Sequence, residues 1–249
     1  MGFFNSIKKS MGLAKGELTV QVNPEQLYAG GEINAQVRLE ALKDMNINVV
    51  RMELVHTFPD EDYEYDTYSE TMHTVDLATR ISMKAGDKVD WPAFITIPPD
   101  IAPSIGKFKW TLRTTVDIPN AIDITDKQNL AIRLSPIMGT LYELITQAFG
   151  FVYTEIGAEE DCVWMTFKPT GAVRSHFGDL ELSFDEQDDT LTLWIALDGM
   201  DEHVARTHGD RINYEEGSIE ITLNKREYAS GPSVNRDALM SRIQPLFSI

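Results

Sequence analysis

Apolar and polar side chains alternate along much of this chain, and the clearest example is residues 108–116. One face of a strand here would carry Phe108, Trp110, Leu112, Thr114 and Val116. The opposite face would carry only lysine, threonine and arginine. A period of two predicts a β-strand with one buried face and one solvent-exposed face.

The same alternation, or a short run of β-forming residues, recurs along the rest of the chain. Residues 94–97 predict a strand that ends at Pro98 and Pro99, because proline cannot donate a hydrogen bond to a neighbouring strand. Further strands are predicted at residues 17–22, 33–39, 46–58, 74–83, 130–134, 151–156, 163–167, 180–184, 191–197 and 219–223.

Two segments show helical rather than strand periodicity. Residues 135–150 predict a helix that Ser135 caps, that has Pro136 in its first turn and that ends at Gly150. Residues 235–247 predict a second amphipathic helix, which we expect to pack on the core through one apolar stripe. That stripe comprises Leu239, Ile243, Leu246 and Phe247.

Together these elements predict a mostly β protein of the β-sandwich type, which the short helix at residues 135–150 divides in two. The boundaries follow from the two helical segments and the strands between them. We expect an N-terminal helix over residues 1–14, a first sandwich over 15–134, a linker helix over 135–150, a second sandwich over 151–230 and a C-terminal helix over 231–249.

The N-terminal segment is basic and amphipathic in an otherwise acidic chain. Phe3, Phe4 and Ile7 fall at helical spacing, with Lys8 and Lys9 beside them. One interpretation is a helix that packs on the first sandwich or covers a sheet edge. The other is a reversible anchor to a membrane surface or to a partner protein.

Composition narrows the function classes. The chain has 39 Asp and Glu against 22 Lys and Arg, a formal net charge of −17, which disfavours binding to nucleic acid. The lone cysteine, Cys162, cannot form an internal disulfide. Neither a membrane span nor a signal peptide is evident, so we expect a cytoplasmic protein.

One cluster of side chains could hold a metal ion. His203, His208 and Asp210 lie close in sequence and offer imidazole and carboxylate ligands that would suit zinc or manganese. Their spacing matches no closed metal motif, however. The chain also lacks a nucleophile elbow and a glycine-rich phosphate loop. We therefore expect neither an enzyme nor a cofactor.

Several separated segments carry a resemblance to a known family. The features are the Phe3-Phe4 pair followed by lysines, the turn at 28–32, Ile97-Pro98-Pro99, Pro103-Ser104, the strand with Trp110, and segments 116–123, 148–151, 167–170 and 179–182. With these features the chain resembles the bacterial sporulation-control protein family, a prokaryotic relative of the arrestins. It departs from the family at residues 163–166, where relatives tend to carry an acidic strand.

The resemblance implies two immunoglobulin-like β-sandwich domains of the arrestin type, joined by a short helix. They would act as an adaptor in sporulation, cell division or cell shape, without catalytic residues. Such a protein would bind other proteins at exposed strand edges and grooves, and exposed edges would also permit a homodimer. Two alternatives remain open. One is a peripheral membrane scaffold anchored by the N-terminal helix, and the other is a carbohydrate-binding module or metal-dependent hydrolase on a β-sandwich.

Overall fold

The computed structural model describes residues 15–24, 27–59, 67–98, 101–105, 108–159, 162–187, 189–213, 217–230 and 233–247. Within these ranges the chain divides into two compact units. The first comprises residues up to 97 together with 103–133, and the second comprises 98–102 together with the chain from 134 onward. The predicted N-terminal helix, including Phe3, Phe4, Ile7, Lys8 and Lys9, lies outside the described residues.

The first unit is built from seven strands in its described part. They are β1 (Gly16–Val22), β2 (Glu32–Ala41), β3 (Met45–Pro59), β4 (Thr67–Met83), β5 (Lys88–Thr96), β6 (Lys109–Asp117) and β7 (Ile124–Leu130). They form a three-stranded sheet in the order β1-β2-β5 and a four-stranded sheet in the order β4-β3-β6-β7. All the pairings are antiparallel.

The two sheets of the first unit enclose a shared apolar core, as a sandwich requires. Leu39 of β2, Val50 of β3 and Val116 of β6 are fully buried in one cluster. Strand β6 alternates as its sequence predicts: Trp110, Leu112, Thr114 and Val116 are buried, and the residues between them are at least partly exposed. The strand prediction for residues 108–116 is confirmed.

One strand of the first unit was predicted in the wrong place. The strand expected at residues 130–134 is in fact β7, which ends at Leu130. Beyond it, Ile132 exchanges hydrogen bonds with Ser104, and the backbone of Arg133 bonds to Leu27 and Ala29. The alternating burial of these residues therefore comes from contacts with loops rather than from a sheet.

The second unit contains one large sheet. Its strands are β8 (Phe151–Glu159), β9 (Cys162–Pro169), β10 (Leu180–Gln187), β11 (Thr190–Leu197), β12 (Arg211–Asn213) and β13 (Ser218–Asn224). They pair antiparallel in the order β12-β13-β11-β10-β9-β8. A separate two-stranded ribbon joins β14 (Ala229–Ser230) and β15 (Ser233–Val234).

Helices accompany this sheet. They are α1 (Pro136–Glu143), which continues as a π-helical turn over Leu144–Ala148, then a 3₁₀ turn over Gly171–Ser175, α2 (Glu202–His208), α3 (Lys225–Tyr228), and α4 (Arg236–Ile243), which continues as a 3₁₀ turn over Gln244–Phe247. None of the helices in the described ranges is long and apolar enough to cross a membrane.

Helix α1 begins as the sequence predicts. The Ser135 side chain accepts a hydrogen bond from the Met138 backbone N–H at 3.2 Å, and Pro136 occupies the first turn. Gly150 follows the π-helical turn with a φ of 76°, a conformation that glycine adopts without strain. However, we predicted residues 135–150 as a linker, whereas Ile137 and Leu141 belong to the core of the second unit.

The second unit therefore differs from the predicted sandwich. Among its described residues, helices and the small β14-β15 ribbon, rather than a second large sheet, pack against one face of the six-stranded sheet. Buried side chains of α1 and α4, such as Leu141 and Leu239, join the same core cluster as Met165, Leu182 and Ile195 of the sheet. A half-buried sheet shows the same alternation whether its dry face meets strands or helices, so periodicity does not distinguish the two.

Candidate functional site

The strand edges of both units were the expected binding features, and the structure shows how each is protected. Among the described residues, β4 pairs only with β3, and this pairing has two register shifts. Arg80 in the same strand has a left-handed φ of 54°. Bulges and irregular backbone of this kind blunt an edge against further strands.

Strand β5 is protected in another way. The Ile97 N–H donates to the Gly31 carbonyl and the Ala41 N–H donates to the Asp87 carbonyl, which fixes the hydrogen-bonded pairs as the odd-numbered residues of β5. The backbone of the even-numbered residues therefore points to the outer edge. Pro92 is one of them, and it has no N–H to offer to an added strand.

The remaining edges are closed, bulged or short. Gln128 of β7 donates a side-chain hydrogen bond to the backbone carbonyl of Val20 in β1 at 2.8 Å, so it ties the two edges together. Strand β8 has a register shift between Tyr153 and Glu155, and β12 is only three residues long. Strand addition is therefore disfavoured at the described edges, and the sheet faces are the better candidates for a binding surface.

One sheet face stands out because it carries two tryptophans on its outer side. In the six-stranded sheet, Met165, Leu182 and Ile195 lie on the inner face and are fully buried or nearly so. Their chain neighbours Trp164 and Trp194 therefore point to the opposite face. Both indoles are half-buried.

The strand register places these indoles in one transverse row that crosses the whole sheet. Each member pairs with the next across neighbouring strands. We call the following set the tryptophan row: Gly157, Trp164, Ser183, Trp194, Glu220 and Arg211.

The indole of Trp164 lies over strand β8, at Gly157. A β-carbon added at Gly157 would lie 2.1 Å from Cζ2 of the indole, so only glycine leaves room for this ring position. Because Gly157 has no side chain, the indole of Trp164 can lie across the backbone of β8 on the outer face. Trp164 thus lies towards one end of the tryptophan row.

The indole of Trp194 is held at the opposite end of the tryptophan row, on the same face of the sheet. Its Nε1–H donates to Oε2 of Glu220 at 3.3 Å, and the guanidinium of Arg211 lies 3.8 Å from Oε1 of the same carboxylate. Ser183 lies between the two tryptophans on β10 and is half-buried. The row therefore offers two aromatic surfaces, a hydroxyl between them and a carboxylate at one end.

The candidate metal ligands are not brought together. Asp201 caps helix α2 by accepting hydrogen bonds from the backbone N–H groups of His203 and Val204. Asp210 accepts from the Thr222 backbone N–H at 2.6 Å and pairs with Arg242. In the described part of the chain, no group of three or more His, Cys, Asp or Glu residues is arranged to hold a metal ion.

A depression of about 360 Å³ in the same unit is a further candidate ligand site. Its polar lining groups are engaged within the protein. The Tyr228 hydroxyl donates to Glu186, and burial together with that carboxylate raises the pKa of Tyr228. Glu227 accepts from the Asn224 backbone N–H at 2.6 Å. We therefore interpret the depression as a feature of the packing around α3.

Comparison with known proteins identifies the family. The model of the family described as SpoOM protein matches residues 4–200, which is most of the chain. The chain belongs to this family. The match includes Trp164, Ser183 and Trp194 of the tryptophan row and ends before Arg211 and Glu220.

Individual relatives agree with this assignment. The chain is 22% identical over 211 residues to the sporulation-control protein spo0M of Bacillus subtilis (strain 168), covering 80% of this chain and 81% of the relative. The crystal structure of Spo0M from the same organism is similar with a TM-score of 0.67 and 19% identity, over 87% of this chain and 92% of that one. At 19% identity, the structural similarity establishes the fold alone.

The sequence-predicted contact residues and the tryptophan row thus differ. Phe3, Phe4, Ile7, Lys8 and Lys9 lie outside the described residues, and their expected role stays a prediction. Sequence reasoning missed Trp164 and Trp194 as surface residues. The signal was present, since alternate residues of each strand are apolar and the tryptophan lies among the others, on the otherwise polar face. Val163 and Met165, for example, flank Trp164 and belong to the apolar face.

Proposed function

We propose that this protein is a non-enzymatic regulatory adaptor of the sporulation-control family, which binds a partner protein on the tryptophan row. The observation that carries the proposal is the position of Trp164 and Trp194 on the outer face of the sheet. Aromatic side chains are enriched in protein interfaces because they bury a large area at a small cost in side-chain entropy. The blunted strand edges favour recognition by this face over strand addition.

Family membership and composition support a setting for this adaptor. We propose that it works in the cytoplasm, in developmental or cell-division control, as the name of the B. subtilis relative suggests. A peripheral membrane contact through residues 3–9 remains compatible with this role. So does a homodimer, although a net charge of −17 on each copy opposes self-association.

The experiment is quantitative affinity capture with matched variants. The parent protein and the double variant Trp164→Leu/Trp194→Leu are tagged, used to capture proteins from lysate of the native host, and compared by mass spectrometry. We expect a defined set of partners that the double variant loses. The control is Phe94→Leu, since Phe94 is 59% exposed in the first unit. Equal capture by the parent and the double variant would refute the role of the row.

One observation favours a second candidate. A pair of aromatic rings on a flat sheet face, with hydroxyl and carboxylate groups beside them, is also suited to stacking against sugar rings. A carbohydrate-binding module is therefore the alternative function, and soluble oligosaccharides provide its test. Binding of a glycan that depends on Trp164 and Trp194, without capture of any protein, would replace the adaptor proposal.

A further inference from the structure

The charges around the tryptophan row indicate what kind of partner it would accept. In the described part of the open face, four carboxylates accompany the indoles: Glu155, Glu181, Asp185 and Glu220. Only two cations share that face, Lys168 and Arg211, and Arg211 lies beside Glu220. The whole chain carries a formal charge of −17, so the local excess of negative charge is reinforced at longer range.

We infer that the tryptophan row binds a basic segment of a partner protein, with lysine or arginine side chains stacked on Trp164 and Trp194 and paired with the neighbouring carboxylates. This inference rests on the proposed adaptor function and names the chemistry of its partner. A cation over an indole is attracted by the negative face of the ring, and tryptophan is the strongest such acceptor among the side chains. Charge complementarity would also speed the encounter.

The geometry sets the spacing of the basic residues. Strands β9 and β11 flank β10, so the α-carbons of Trp164 and Trp194 are about 10 Å apart. The indoles lie towards opposite ends of the row, over Gly157 and beside Glu220, so the rings are farther apart than the α-carbons. In an extended peptide, residues four positions apart are separated by about 13 Å. Two basic residues at that interval match the two rings.

The polar groups of the row favour this ligand over an anionic one. A phosphate or an acidic peptide would have to approach Glu181 and Glu220 against their charge. Glu181 is exposed and lies next to the row on β10, two residues before Ser183. A guanidinium or ammonium group stacked on either ring can instead form a charge-assisted hydrogen bond to a nearby carboxylate.

The test uses a short labelled Gly/Ser peptide with two arginines four positions apart, titrated with the full-length protein and followed by fluorescence anisotropy. The double variant Trp164→Leu/Trp194→Leu keeps the charge of the parent, so general electrostatic attraction is unchanged. We expect the affinity to fall about tenfold in this variant, which corresponds to 1.4 kcal/mol. Phe94→Leu should bind as the parent does. Circular dichroism melting curves verify that each variant is folded.

Further arms separate the alternatives. A peptide with the two arginines adjacent should bind several-fold more weakly, and Glu181→Gln/Glu220→Gln should reduce the salt dependence of binding. Equal affinity for the peptide in the parent and in the tryptophan double variant would overturn the inference. Tighter binding of an oligosaccharide than of the peptide would overturn it as well. If the peptide fails while protein capture still depends on the tryptophans, the adaptor function stands and only the basic-partner chemistry is wrong.

Discussion

Trp110 in the first unit and the two tryptophans of the row in the second unit occupy two different kinds of site. Trp110 in the first unit is fully buried and stacks on His56, with the ring centroids 4.1 Å apart and the planes 7° from parallel. Trp164 and Trp194 in the second unit are half-buried on the outer face of a sheet. All three lie in alternating antiparallel strands, so strand formation does not explain the difference. Core packing accounts for Trp110, whereas the proposed partner would account for the outer indoles.

The polar groups near these indoles differ in the same way. Nε2 of His56 is buried with no hydrogen-bond partner among the described residues, and Phe58 and Phe108 also lie close to the imidazole ring. By contrast, Trp194 donates to Glu220 on the outer face. The inner site is buried and intolerant of charge, whereas the outer indole is partly exposed and donates a hydrogen bond to a carboxylate.

The largest expected effect is at the buried ring. Trp110→Ala should reduce the free energy of unfolding by about 3–5 kcal/mol, because it removes apolar area and leaves a cavity between the two sheets. Trp194→Ala should cost about 1 kcal/mol, as a half-buried surface position does. Urea denaturation of both variants measures the difference. Equal losses would show that the two sites are not distinct.

The pH dependence of the first unit comes next. Burial lowers the pKa of His56 from 6.5 to about 4. The unfolded chain therefore binds the proton first, so stability should decline as the pH falls below 6.5, and the loss should level off below about pH 4. The lost stability should be at most about 3 kcal/mol, at 1.36 kcal/mol per pKa unit, since partial solvation of the imidazole reduces the effect.

The matched variant is His56→Phe, which keeps an aromatic ring beside Trp110 and removes the titrating group. Urea denaturation should be measured at a series of pH values from about 7 to about 4, which spans both pKa values. The free energy of unfolding should decline less steeply with falling pH in this variant than in the parent. An identical pH profile in the parent and the variant would mean that other groups account for the acid sensitivity.

A smaller effect is expected from crowding the outer row. Gly157→Ala forces the Trp164 indole to move, because the new methyl group would overlap the ring. We expect a loss of about 1–3 kcal/mol together with a shift in tryptophan fluorescence. Gly139→Ala is the control: nothing lies within 4 Å of its added β-carbon, and it is in helix α1, where alanine is stabilising. Similar effects at the two glycines would contradict the ring placement.

Much of the local structure could be predicted from the sequence, because it depends on residues that are close together in the chain. Period-two alternation located β6, and Ser135 with Pro136 located the start of α1, because strand pleat and helix caps depend only on near neighbours. Strand β7 was misplaced. Its central residues, Asp126 to Asn129, are polar and give little apolar signal, although Gln128 holds the edge to β1.

The tryptophan row could not be derived in the same way. It draws on residues from 157 to 220, and its assembly depends on the register of five strand pairings. Turn lengths and core packing set that register, and the sequence does not state it directly. Likewise, residues 163–166 are predicted as part of a strand and as a departure from the family pattern, and neither inference places Trp164 on the surface. The apolar residues Val163 and Met165 of this segment are buried in the core, whereas Trp164 lies on the outer face.

The smallest effect should come from removing one hydrogen bond of the row. Trp194→Phe keeps an aromatic ring and loses only the Nε1–H donated to Glu220, whose other oxygen still lies near Arg211. Because Glu220 remains partly exposed, water can replace the lost donor, and we expect the free energy of unfolding to change by about 0.5 kcal/mol or less. The same replacement at Trp110 leaves unfilled space in a closed core and should cost about 1–3 kcal/mol. Urea denaturation of both variants decides the matter, and a larger loss at Trp194 than at Trp110 would mean that the outer ring supports the fold rather than a partner.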